Sequence, residues 1–162
     1  EATWSRIHTA AGVDSDFTAM QAYEDDVTYN LVGAAHEETG IAVRDILHGF
    51  GEYWVSDVAT YSYADLMRKS GSGFIDFVKN LDHLHERIRV TFPDYRPPSF
   101  RVKQIGAKQI QVDYYSHREG LIPFVEGLFQ GLGKHYDETI TIEQIDDDSH
   151  PMPCKRMHVT LD

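Results

Sequence analysis

The chain has 162 residues, 41% hydrophobic and 25% charged, the proportions of one ordinary globular domain with a single core. Its net charge of −11 repels phosphate backbones and disfavours nucleic acid as a partner. No apolar run is long enough for a bilayer. The single cysteine, Cys154, excludes an intrachain disulfide and a multi-cysteine zinc or iron–sulfur cage, so a reducing cytoplasm is the natural setting.

In chain order, the segment from Glu1 to Gly12 reads as a short helix stopped by glycine. A loop follows, then a second helix from about Thr28 to near Gly40. Residues 41–59 place Val43, Ile46, Leu47, Phe50, Trp54 and Val58 at helical spacing, weakened locally by Gly49 and Gly51. A short helix is expected around residues 61–70. The clearest helix is 74–90, with Phe74, Phe77, Val78, Leu81, Leu84, His85 and Ile88 on one stripe. Pro93, Pro97 and Pro98 prevent its continuation. The period then switches to alternation. Residues 99–105 and 109–116 read as strands joined at Gly106-Ala107-Lys108. Helical spacing returns from Arg118 to Tyr136, and strands are expected at 139–145 and 155–161, separated by a turn. The fold class is therefore α+β: a helical N-terminal part packed on an antiparallel sheet of about four strands, with one crossing helix. Residues 1–162 form a single domain.

Two features bear chemistry. His85 shares the apolar face of its helix with Leu81 and Val78, and a buried imidazole stays neutral, with one nitrogen free for a metal and the other for a hydrogen bond. A lone histidine in such a place is more often a core residue bonded to a carbonyl, and periodicity alone leaves that alternative open. His83 points to the opposite side and cannot join His85 on one ion. The second feature is YYSHREG. If the strand reaches Arg118, then Tyr114, Ser116 and Arg118 share one face and offer a phenol, a hydroxyl and a guanidinium, a set suited to carboxylates. Asp113 and His117 would then face away and be exposed. A buried neutral histidine and an anion clamp in one small domain suit heme, whose iron takes the histidine and whose propionates need cations. The run Asp146-Asp147-Asp148 lacks the loop of a calcium site and reads as a solvated turn. His150 and Cys154 are too few for a closed zinc site.

The run NLDHLHERIRVTFPDYRPPSF, followed by YYSHREGL, resembles the heme-nitric oxide/oxygen binding (H-NOX) family, which includes the heme domain of soluble guanylate cyclase and bacterial stand-alone sensors. YEDDVTYNLVGAA and FGEYWV are similar to its bacterial members, and the likeness covers nearly the whole chain. The resemblance implies heme b (iron protoporphyrin IX) lying between the helical part and the sheet, with His85 as the proximal iron ligand. It implies that Tyr114, Ser116 and Arg118 clamp the propionates, that Pro98 distorts the porphyrin, and that Asp25 supports Arg118 through an ion pair. Leu81 and Leu84 are expected beside the cofactor, and Phe50, Trp54 and Phe124 in the distal pocket. Phe124 matches the position of a distal tyrosine in oxygen-binding members and has no donor, so nitric oxide and carbon monoxide are expected to bind and oxygen to be disfavoured. Family members open with one more helix, and the expectation is that this chain lacks it.

The implied function is a cytoplasmic, non-enzymatic gas sensor in which nitric oxide strains the bond to His85 and the helix bearing it relaxes. The implied partner is a histidine kinase or a cyclic-dinucleotide enzyme, with no nucleic acid and no membrane involved. One alternative is a heme-independent interaction module of the same fold. Another is a metal-dependent enzyme, against which no histidine pair has the H-E-x-x-H spacing.

Overall fold

The computed structural model describes residues 2–13, 17, 23–146 and 154–162. The turn expected before the last strand falls mostly on 147–153, outside the described residues, as does His150.

The first helix, α1, is Ala2–Ala10, and Gly12 follows with a left-handed φ of 64°. Helix α2 is Asp25–Thr39 and ends at Gly40, whose φ of 70° lets its N–H reach the His36 carbonyl. It starts three residues before the expected Thr28. Asp25 and Asp26 sit in its first turn, where carboxylates are favoured by the helix dipole. Helix α3, Val43–Tyr53, runs into a π-helical segment, Trp54–Ala59, and the short helix α4, Thr60–Ser62. Helix α5 is Ala64–Ser70.

The stripe expected as one helix over 74–90 is broken into α6, Phe74–Lys79, and α7, Leu81–Thr91. The break is Asn80, at φ −95° and ψ 1°, a conformation that a short polar side chain tolerates better than most. Phe77 and Val78 lie before it and Leu81 and Leu84 after it, and all four are core residues.

Strands β1, Ser99–Gly106, and β2, Gln109–Tyr115, form the first hairpin. Helix α8, Ile122–His135, leads to β3, Ile140–Ile145, and β4, Cys154–Leu161. The sheet is antiparallel throughout, in the order β1-β2-β4-β3, as two hairpins joined at β2 and β4. Ile110, Val112 and Tyr114 alternate toward the helices and meet Phe100, Phe129, Met157 and Val159 in one core. The expected α+β architecture with a crossing helix is the observed one. The crossing helix starts at Ile122 rather than Arg118, because Gly120 turns the chain with a φ of 72° and Pro123 occupies the first helical turn.

Helix α8 lies directly on α3 through glycines. A Cβ on Gly51 would stand 2.2 Å from the Phe124 carbonyl oxygen, and one on Gly127 would stand 2.0 Å from that of His48. Each glycine is a gap into which the other helix's backbone fits.

Candidate functional site

Helix α7 presents His85 to a cleft of about 670 Å³, whose walls include Asp82, Glu86, Tyr95, Pro98 and His117. The imidazole is half-buried, with the Tyr95 and Phe100 rings at 6.1 and 6.0 Å. Its Nδ1 is buried without a hydrogen-bond partner. The Pro98 carbonyl is near enough to favour a protonated ring, yet no hydrogen bond of acceptable geometry joins them. The carbonyl that a core histidine would use, the alternative left open by the sequence, is thus that of Pro98, which lies near the ring without a well-formed bond to it. Pro98, expected to distort the porphyrin, lines the same cleft. Leu81 and Leu84 do not: both are buried in the core.

Asp82, one turn before His85, is the residue that sequence reasoning missed here. Its carboxylate accepts from the Ser99 hydroxyl and the Phe100 N–H, both at 2.7 Å. These bonds fasten α7 to the start of β1, immediately after Pro98, and charge-assisted bonds of this kind are the strong ones. An acid three residues before a helical histidine was the available signal.

Burial lowers the His85 pKa below its ordinary 6.5; the Asp82 charge and the Pro98 carbonyl oppose this without cancelling it. The ring is neutral at pH 7 and its nitrogens are available. The unfolded chain binds this proton more readily than the folded one, so stability rises with pH through the interval. The contribution is complete above pH 6.5 and is lost as pH falls from there toward the depressed folded value. We expect the heme-free protein to lose stability on acidification below pH 6.5, and to lose less of it in His85→Gln, as read by urea midpoints across pH. Identical pH profiles for the two proteins would refute the assignment.

The three residues expected to form a clamp, Tyr114, Ser116 and Arg118, meet, but not by strand alternation. Strand β2 ends at Tyr115, so Ser116 and Arg118 lie on a turn. There the Ser116 hydroxyl accepts from the Arg118 N–H at 3.0 Å. Burial pushes the Tyr114 phenol up, and the Ser116 hydroxyl and the Arg118 guanidinium pull it back, which puts all three groups side by side. Arg118 Nε lies 2.8 Å from Asp25 Oδ1, so the expected ion pair is present, although the N–H is not aimed along that line and makes no proper hydrogen bond. Arg118 Nη2 donates to Thr28 Oγ1 at 2.9 Å, and the Tyr29 hydroxyl donates to the Glu119 carbonyl at 2.9 Å. His117 is exposed as expected but does not face away: its Nε2 is 3.6 Å from Asp25 Oδ2. Asp113 is buried, not exposed, because Arg156 on the neighbouring strand covers it, with Nε 2.6 Å and Nη2 3.1 Å from its oxygens.

Of the expected distal residues, Phe50 and Phe124 come together with ring centres 5.3 Å apart. Trp54 instead stacks on Tyr63 at 6.3 Å. Phe50 and Trp54 are 49% and 37% exposed, an aromatic surface with room for an apolar ligand. Among the described residues, no three histidine, cysteine or acidic side chains gather where they could cage a metal ion. An iron carried in a macrocycle needs only one protein nitrogen, and a partnerless imidazole, an apolar surface and an arginine–hydroxyl cluster fit such a group. No helix among the described residues is long and apolar enough to cross a membrane.

A family model described as Haem-NO-binding matches residues 1–144. The chain is 27% identical over 162 residues to soluble guanylate cyclase gcy-31 of Caenorhabditis elegans, covering 99% of this chain and 23% of that protein. It is 32% identical over 94 residues to guanylate cyclase soluble subunit beta-2 of Rattus norvegicus, covering 58% of this chain and 14% of that one. The chain thus spans less than a quarter of the length of these curated relatives. Among solved structures, an H-NOX protein from S. oneidensis in the Fe(II)NO ligation state superposes with a TM-score of 0.86 at 18% identity, over 99% of this chain and 89% of that one. An Fe(II) mutant of the S. oneidensis protein gives 0.87 at 18%, over 99% and 86%. At such identity these likenesses speak for the fold.

Proposed function

The chain belongs to the Haem-NO-binding family, and from that premise we propose that it is a heme-based sensor of nitric oxide and carbon monoxide, a binding and relay module rather than an enzyme. The observation that carries this is His85: a neutral, half-buried imidazole whose buried nitrogen has no partner, in the cleft that also holds Pro98.

Heme b is the cofactor, and when bound it supplies a ferrous iron able to take a diatomic gas. His85 would hold the iron through Nε2, leaving Nδ1–H to settle on the nearby Pro98 carbonyl. An acceptor on the far side of a ligating imidazole fixes the ring and raises its basicity. Tyr114, Ser116 and Arg118 would bind propionate, with Asp25 keeping Arg118 in place. Pro98 would press on the macrocycle. Phe50 and Phe124 give the distal wall no hydrogen-bond donor, and Trp54, whose indole N–H is the remaining donor of the expected set, stacks its ring on Tyr63. Bound oxygen, which needs a donor, is therefore disfavoured, whereas nitric oxide is not.

The relay runs through α7. A shift of His85 moves Asp82, and Asp82 moves the start of β1. A partner that binds one position of α7 better than the other reads the signal. The partner is a histidine kinase or a cyclic-dinucleotide enzyme, and the likeness to soluble guanylate cyclases supports a signalling enzyme in that role. The lone cysteine and the acidic surface suit a cytoplasmic domain spanning 1–162.

The test is the absorption spectrum of the ferrous protein with nitric oxide, with carbon monoxide and in air. We expect a strong heme band that shifts with the first two gases and not with oxygen. A stable oxy complex would overturn the selectivity. No heme after reconstitution would favour a heme-independent interaction module.

A further inference from the structure

Arg118 stands three residues beyond the end of β2, on a turn whose internal restraints are one Ser116 hydroxyl and the left-handed Gly120. Left to that turn, a long guanidinium side chain would sample many rotamers, and fixing it would cost entropy at the moment of ligand binding. What holds it comes from another part of the chain. Asp25 flanks Nε, Thr28 accepts from Nη2, and Tyr29 ties down the carbonyl of the next residue, Glu119.

We propose that Thr28 and Tyr29 are positioning residues of the clamp, forming with Asp25 a latch on the N-terminal turns of α2 that presents Arg118 to a carboxylate ligand. The three residues follow from helix geometry. Asp25, Thr28 and Tyr29 stand at i, i+3 and i+4, so they share one face of α2, and that face lies against the 116–120 turn. Asp25 pairs with Nε by charge alone, and Thr28 accepts from Nη2. Among the described residues, Nη1 has no protein acceptor, so that end of the fork is left to an incoming carboxylate oxygen. The Tyr114 and Ser116 hydroxyls complete the donor set. Tyr29 also lies beside the Tyr114 phenol, so both sides of the site feel the latch. Asp25 brings charge, Thr28 brings direction, and Tyr29 fixes the backbone that carries the arginine.

The ligand's identity here rests on the heme-sensor reading; the latch itself does not. Two measurements keep them apart. The first follows the Arg118 Nε–H in 15N-labelled protein before heme loading, by its exchange with water. Thr28→Val keeps the side-chain shape and removes the acceptor, so exchange should quicken about tenfold, while Thr28→Ser should restore it. Tyr29→Phe should quicken it about threefold. The second is the rate of heme loss to apomyoglobin, expected to rise about tenfold in Thr28→Val and to return in Thr28→Ser, with thermal midpoints matching the wild type. Unchanged guanidinium exchange in Thr28→Val overturns the latch, whatever the heme does. Quickened exchange in a protein that takes up no heme leaves the latch standing and removes the heme reading instead.

Discussion

His85→Gly is expected to purify without its heme band and to regain it when millimolar imidazole is added. His85 is the side chain that brings a neutral imidazole to the cleft, and removing it leaves a space of imidazole size. Free imidazole should enter that space and restore the absorption. The fold should persist. A glycine within α7 costs about 1 kcal/mol, which lowers the melting temperature of a domain this size by about 2–4 °C. Loss of the band with the fold intact separates a ligand from a structural core histidine, whose removal would cost stability first. Retention of heme at the wild-type level would end the assignment. So would loss of heme that imidazole leaves unrepaired while His85→Ala keeps it.

The second large effect is expected at Gly127. Its missing Cβ is replaced by the His48 carbonyl at 2.0 Å, and Gly51 holds the reciprocal place against Phe124 at 2.2 Å. The atoms in the way are backbone, so no rotamer change relieves the clash and the two helices must part. Gly127→Ala should cost about 3 kcal/mol or more, roughly 6–12 °C in melting temperature. Parting α3 from α8 would also separate Phe50 from Phe124, so the bound-gas spectra should broaden. Gly33 and Gly49 provide the control. Both are helical and nothing lies within 4 Å of a Cβ built there. Alanine at either should stabilise the protein by about 0.5–1 kcal/mol. A Gly127→Ala protein within about 0.5 kcal/mol of the wild type would show that the helices are free to move apart.

These sites differ in how far the sequence announced them. His85 was legible as a position on a stripe, because helical periodicity marks faces. The stripe was misleading about its own continuity. Apolar spacing runs through Asn80 without a gap, so the break between α6 and α7 left no trace in the pattern. Tyr114, Ser116 and Arg118 do meet, but the alternation that grouped them stops at Tyr115. A turn closed by Gly120 and fastened by α2 brings the last two into place, and such a turn has no period. Arg118 lies far from Asp25, Thr28 and Tyr29 in sequence, so only the family resemblance suggested Asp25, and nothing suggested the other two. Asp113 failed for the same reason. Its side of the strand was read correctly, yet its exposure depended on Arg156 standing opposite in β4, and pairing between non-adjacent strands is not written in either strand.

The π-helical turn at Trp54–Ala59 affects how this protein can be compared with others. Thr60 donates to the carbonyl of Val55, five residues back, so the segment holds one residue more than an α-helix would need to climb the same height. In an ordinary helix a single inserted or deleted residue rotates everything downstream by about 100°. Here the surplus residue is absorbed locally, and Val55 and Ala59 both stay in the core. A relative that lacks this residue can keep the same downstream facing by closing the turn to a plain α-helix. An alignment that refuses a gap in this stretch would then set each later side chain of the helix against the wrong neighbour. Trp54, expected in the distal pocket, stands at the head of this segment, so its counterpart in another chain depends on whether that chain keeps the extra residue.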